Sequence, residues 1–296
     1  MSFIQSIPVE ITALLAAAAM STMSILNRRG LQTGSPYMSA VIINATVLTV
    51  YFGICTSLGV RWMELPGSAV GWFLLAGISS PALSMTLYYI SLSRFGVGKA
   101  GPIAMGGNPL FGVLLGILIL GERPHWSLYL GSVLIIGGIW IISRPKGEMS
   151  LKWSEAVIPL AAGFFFGLST VIRKLGLNLV PLPHVGVMIS STTALVCLIL
   201  TCPLFPKGKR MVRSARTVKF SLFAGGSLSI SFFFLFTAIN QGEVTRVMAI
   251  FGVTPLLSIV LAAIFLGNLE NITSRIYGGT VSIVTGIVLI TLLKKG

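Results

Sequence analysis

Any covalent chemistry in this chain has to be built from its ionisable side chains, and these are few. There is no aspartate, and the seven glutamates are Glu10, Glu64, Glu122, Glu148, Glu155, Glu243 and Glu270. Each lies at or near the end of an apolar run, where a carboxylate can reach water. A carboxylate held at mid-membrane for proton-coupled exchange is therefore not read from the sequence. The two histidines, His125 and His184, are isolated, and no HExxH, GxSxG or phosphate-loop pattern occurs. Cys55, Cys197 and Cys202 lie in apolar runs without CxxC spacing, which gives neither a disulfide framework nor a zinc site. An enzyme working inside a membrane needs paired acids, histidines or a metal set. The sequence supplies none of these, so the chain is read as a non-enzyme with no cofactor and no metal.

The more informative residues break helices or hydrogen-bond without charge. One apolar run contains Gly101-Pro102 and Gly106-Gly107-Asn108-Pro109, and another contains Gly252 and Thr254-Pro255. Proline removes a backbone donor and leaves the carbonyl one turn earlier without its partner. At membrane depth such groups are tolerated where they meet protein, water or a solute. Hydroxyls and amides cluster in other runs: Ser21, Thr22, Ser24 and Asn27; Ser79, Ser80, Ser84 and Tyr88; Ser169 and Thr170; Ser227, Ser229, Ser231 and Asn240. Polar side chains at this depth face a bundle interior, where interhelical hydrogen bonding is the plain reading and a polar-lined cavity the functional one. The cavity candidates are Asn108, Pro109, Thr254, Pro255, Ser80, Ser84, Tyr88, Ser227, Ser231, Ser24 and Thr170. Lys99 and Arg246 open the two interrupted runs. They read either as interfacial anchors or as charges that draw a carboxylate into the cavity mouth.

The elements that must position these groups follow from composition. Of 296 residues, 54% are apolar and 9% charged, where a soluble domain carries about 25% charged residues. The mean hydropathy is +0.93. A hydrocarbon core about 30 Å thick needs about 20 apolar residues per helical crossing. Ten such runs are read, at about 9–27, 37–58, 69–92, 98–120, 126–143, 155–173, 184–205, 218–240, 245–266 and 275–293. The net charge of +14 lies between these runs rather than on a soluble face, so nucleic acid is not a partner. The first run lacks the positive start of a signal peptide and is read as a helix of the mature protein.

Shifting the chain by 146 residues superposes Arg28 on Lys174, Gly30-Leu31 on Gly176-Leu177, Pro109 on Pro255 and Gly121 on Gly267. Gly112-x-x-x-Gly116 falls on Ser258-x-x-x-Ala262, a spacing of small residues that brings helices together. At a shift of 148, Gly131 meets Gly279 and Gly138 meets Gly286. This predicts a duplication, residues 1–146 and 147–296, of five helices each. Five crossings end on the opposite face from their start, so the second unit enters inverted, an arrangement that places a solute site near the midplane between halves. The loops after runs 1, 3, 5, 7 and 9 hold 14 Lys or Arg and the other face 7. That bias puts the first face in the cytoplasm and both termini outside. The stretch from Pro206 to Lys219, with six bases, decides the count.

Gly101-Pro102 through Asn108-Pro109 to Leu120-Gly121-Glu122-Arg123, followed by Gly131 and Gly137-Gly138, resembles the drug/metabolite transporter superfamily of EamA type. Thr254-Pro255 to Leu266-Gly267-Asn268 repeats the pattern. The resemblance implies a ten-helix multi-pass carrier of the inner or plasma membrane. It would export an amino acid or related metabolite by alternating access through a central cavity. Two departures are visible: Asn268 stands where the family commonly has glutamate, with Glu270 close by, and family members usually keep both termini in the cytoplasm. The partners implied are a small-molecule solute and the lipid bilayer, with a homodimer left open. The other readings are an intramembrane enzyme and a structural or receptor-like membrane protein. The sequence names no substrate, direction or coupling ion.

Overall fold

In hydrocarbon a backbone must satisfy its own polar groups, so apolar runs of this length close into helices. A computed structural model of the chain describes residues 7–122, 126–143, 153–202, 214–266 and 274–292. The helices are α1 (Val9–Gly30), α2 (Pro36–Ser57), α3a (Gly67–Gly77), α3b (Ser84–Phe95), α4 (Val97–Leu120) and α5 (Ser127–Ser143). They continue with α6 (Trp153–Leu179), α7 (Pro183–Thr201), α8 (Ala215–Gln241), α9a (Val244–Phe251), α9b (Thr254–Phe265) and α10 (Ser274–Leu292). Counting α3 and α9 once each, the helices among the described residues follow the order of the predicted runs. Among the described residues seven spans are long and apolar enough to cross a membrane by length and composition, and α9b is a shorter apolar helix. Leu118, Leu200 and Ile264 are among the large apolar side chains left on the outer surface, where lipid covers them. The boundary at 146/147, most of the basic stretch 206–219, Gly267-Asn268 and Glu270 lie outside the described residues.

Helix neighbours come in exchanged pairs. Helix α1 packs along α8, and its counterpart α6 packs along α3; α6 also packs along α4, and α1 along α9. Helix α2 packs on α7, and α5 on α10. The α5–α10 contact states the symmetry at atomic level. A Cβ on Gly138 would lie 2.4 Å from the Gly279 carbonyl oxygen, and one on Gly286 would lie 2.4 Å from that of Gly131. These four glycines are the pairs matched by the 148-residue shift, with partners exchanged as a pseudo-two-fold requires. An odd number of crossings per half would invert the second half.

Two elements differ from the sequence reading. Helix α4 runs unbroken through Gly106-Gly107-Asn108-Pro109, so this stretch is not an interruption. A glycine of α6 instead packs against it: a Cβ on Gly163 would meet the Ala104 carbonyl oxygen at 2.7 Å and the Asn108 nitrogen at 3.1 Å. The interruption in the first half lies in α3, where a π turn over Ile78–Leu83 contains Ser80 at φ −155°, ψ 126°. Helix α6 also extends to Leu179, beyond the expected end at 173.

Candidate functional site

At the α3 interruption, extended Ser80 takes its neighbours' backbone out of the helical register, and side chains of other helices take up the freed carbonyls. Ser169 Oγ on α6 donates to the Ala76 carbonyl oxygen at 3.0 Å and to that of Ser80 at 3.2 Å. Arg173 Nη2, one turn further along α6, donates to the Ser80 oxygen at 2.9 Å. Ser79 and Ser84 donate in return to the carbonyls of Phe165 and Ala162 on α6, at 2.8 and 3.0 Å. Ser190 on α7 donates to the Phe73 oxygen of α3a at 3.1 Å.

Helix α9 is interrupted at Gly252-Val253, between α9a and α9b. Pro255 falls in the first turn of α9b, where a missing N–H has no intrahelical partner to lose. The Thr254 hydroxyl donates to the Phe251 carbonyl. Ser21 Oγ on α1 donates to the Thr254 carbonyl at 3.1 Å. The interruptions are thus in α3 of one half and α9 of the other, while their counterparts α8 and α4 are continuous.

Helix α1 joins these parts. Tyr88 on α3b donates to Ser24 Oγ at 2.9 Å. Ser21 and Ser24 are three residues apart, so they share one face of α1 and present it to both interrupted helices. From the other side, Ser227 and Ser231 of α8 donate to the carbonyls of Ala19 and Ala16, each at 2.8 Å. Thr170 bonds back to Phe166 of its own helix at 3.0 Å. The structure therefore joins Ser24, Tyr88, Thr254, Ser227 and Ser231 through α1, and Ser80 and Ser84 through α6. Asn108 lies where α4 packs against α6, and Pro109 follows it in the same continuous helix. Asn108 is fully buried with neither side-chain atom hydrogen-bonded, as is Asn27 on α1.

The charged candidates take structural partners. Arg246 pairs with Glu10 of α1, which leaves it as a helix-to-helix tie. Lys99 is partly buried at the start of α4, in the field of Glu155 at the start of α6. Gly121 ends α4 in the left-handed conformation (φ 68°, ψ 19°) and turns Glu122 toward the second half. Both Glu122 oxygens accept there, from the backbone N–H groups of Val244 and Thr245 at 3.0 Å each. The positive end of α9a favours a carboxylate at this place. The Gly-Glu pair is therefore a clamp between halves.

The residue missed by sequence reasoning is Arg173, one of the seven bases of the less basic face. It is fully buried, with its guanidinium carbon 4.7 Å from the Phe236 ring centre and 5.1 Å from that of Phe232. The signal lay just downstream, where Leu175, Gly176 and Leu177 continue the apolar pattern past the two bases. A groove of about 750 Å³ near Ser214, Lys219 and Phe223, at the start of α8, holds none of these groups. Along α8 its nearest lining residue, Phe223, lies nine residues, or about 13 Å, from Phe232.

A model described as "EamA-like transporter family" matches residues 7–144 and again residues 153–292. A Bacillus subtilis (strain 168) protein named "Uncharacterized transporter YwfM" is 23% identical over 193 residues, which is 64% of this chain. The match spans 63% of that protein's length. A solved structure described as "Crystal structure of protein" superposes with a TM-score of 0.73 at 16% identity, over 97% of both chains, a likeness of fold.

Proposed function

This chain belongs to the EamA-like transporter family, and from that premise we propose that it is a secondary carrier of a small organic solute, working by alternating access between its two halves. The observation that carries this reading is the convergence of two interrupted helices, one from each half, on a single face of α1 at Ser21 and Ser24. An interrupted helix places backbone groups where a solute can reach them as the halves move apart, and the interrupted helix of the other half would supply the opposing wall. Fully buried Asn27 and Asn108 add amide groups that no protein atom satisfies. These groups are closed off from the surface here, as a carrier between its two open states requires. The clamp from Glu122 to α9a and the α5–α10 glycine contacts are the hinges about which one half would rock. The family's exporters suggest outward transport, and amino acids or related metabolites as solutes.

The test is counterflow. The full-length chain is reconstituted in liposomes preloaded with one member of a panel of amino acids, amines, sugars and organic acids, and entry of labelled solute is followed. Transient, saturable accumulation of one class is expected. If every panel member enters no faster than into protein-free liposomes, the carrier reading fails and a receptor-like or structural role takes its place.

A further inference from the structure

Among the described residues Arg173 has no counter-ion. It takes part in no salt bridge there, its Nε and Nη1 have no hydrogen-bond partner, and its single hydrogen bond is the one from Nη2 to the Ser80 carbonyl. The Ser80 hydroxyl at the same interruption is also fully buried without a partner. Burying an unpaired charge is costly, and within membrane-spanning segments such groups face the bundle interior or a solute path. The rings of Phe232 and Phe236 supply their faces to the guanidinium, which offsets part of that cost. They leave Nε and Nη1 as unmatched donors. Around the α3 interruption the carbonyls of Ala76 and Ser80 are already taken by Ser169 and Arg173. The unmatched remainder is a surplus of donors and one positive charge.

Taken with the carrier reading, on which it rests, this arrangement leads us to infer that Arg173 and the Ser80 hydroxyl bind the carboxylate of the transported solute. The solute would then be the missing counter-ion. A guanidinium suits this role because its planar fork matches a carboxylate, which lysine does not do as a point charge. The aromatic rings beside it favour a solute whose carboxylate is attached to an apolar body. Neutral amides and esters of the same solute lack the charge and supply fewer acceptors, so they are excluded. Because the site is sealed in this structure, binding accompanies opening of one half against the other.

The experiment uses the purified full-length chain in detergent, with thermal unfolding followed by tryptophan fluorescence. Sodium benzoate is the probe, benzamide its uncharged isostere, and sodium chloride and sodium phosphate controls at matched sodium concentration. Benzoate is expected to raise the unfolding midpoint saturably, while benzamide and chloride do not. Arg173→Gln is expected to weaken the benzoate effect by about tenfold to a hundredfold, the range for hydrogen bonds to a charged group. Arg173→Lys should retain part of it. Ser80→Ala, which leaves the Arg173 bond to the Ser80 carbonyl in place, should weaken it severalfold, and it carries the test if Arg173→Gln fails to fold. No benzoate effect, an equal effect of benzamide, or an undiminished effect in Arg173→Gln or Ser80→Ala would overturn the assignment. So would a response to phosphate alone. Benzoate binding that depends on Arg173, without counterflow of any panel solute, would support the site and sink the carrier.

Discussion

Arg28 and Lys174 do the same work in opposite halves of the molecule. Arg28 Nη1 donates to the Leu92 carbonyl at the end of α3b, at 2.8 Å. Lys174 Nζ donates to the carbonyls of Ile239 and Gly242 at the end of α8, at 2.9 and 3.0 Å. The two bases superpose at the 146-residue shift, and so do Gly96 and Gly242, which come directly after the two capped helices. A cation at a helix C-terminus satisfies orphan carbonyls and complements the helix dipole. The inverted repeat is thus preserved in a chemical device, although one base is arginine and the other lysine.

Removing either cap is therefore expected to destabilise the fold without abolishing insertion. Lys174→Met and Arg28→Met should each lower stability by about 1–3 kcal/mol. The double variant should lose the sum within about 0.5 kcal/mol, because the caps sit on different helices and share no partner. Thermal unfolding in detergent checks this, and strong non-additivity would show that the two ends are mechanically coupled.

Glu122 holds the halves together by accepting from two backbone donors of α9a. Glu122→Ala should slow solute counterflow and reduce stability by about 2 kcal/mol, below the full value of two bonds to a charged group because Glu122 is partly exposed. Glu122→Gln, which keeps one acceptor oxygen, should fall between that variant and the parent. Equal behaviour of all three chains would remove the clamp from the mechanism.

The glycines of α5 and α10 give a test with internal controls. Gly138→Ala and Gly286→Ala would drive a methyl group into the facing backbone at 2.4 Å, and each is expected to lose about 1–3 kcal/mol. On the same two helices, Gly137 and Gly278 have no atom of another helix within 4 Å of a built Cβ. Gly137→Ala and Gly278→Ala should be neutral or stabilising by up to about 1 kcal/mol, from helix propensity alone. The four variants are compared by thermal unfolding, and no difference between the pairs would mean that this contact is not made.

The interruption that matters in the first half is that of α3, so Ser169→Ala and Pro109→Ala should behave differently. Ser169→Ala strips a donor from the Ala76 and Ser80 carbonyls and is expected to lose about 1–3 kcal/mol and most solute flux. Pro109→Ala lies in a continuous helix and should transport like the parent. The measurement is flux per correctly inserted molecule. The reverse ranking would return the site to α4.

Orientation is read by labelling single cysteines with an impermeant maleimide in intact cells. Ala215→Cys lies at the exposed start of α8, beside the α1–α2 turn, because Ser214 meets Thr33 at 2.8 Å. Met63→Cys is fully exposed between α2 and α3a, on the other face. Burial of Arg173 removes one base from the less basic face, which sharpens the bias that puts Ala215 inside. Labelling at residue 63 and protection at 215 are expected; the opposite pattern would set the termini in the cytoplasm.

Hydropathy and spacing determined the ten segments, the duplication and its inversion, because these depend on local composition and on an odd number of crossings per unit. The glycine pairs 131/279 and 138/286 were visible as matched letters. That their partners exchange across a two-fold needed the packed helices. The sequence could not decide which proline-containing stretch breaks. Proline lowers the stability of a helix when it sits in the interior, but whether the helix opens depends on what receives the freed carbonyls. Ser169 and Arg173 meet the Ser80 carbonyl, whereas at Asn108-Pro109 α4 stays helical with Gly163 of α6 packed closely against its backbone. Arg173 was misplaced for the same reason. Beside Lys174 it looks like a loop base, and only the rings of Phe232 and Phe236, brought in from a distant helix, make room for a charge inside the bundle.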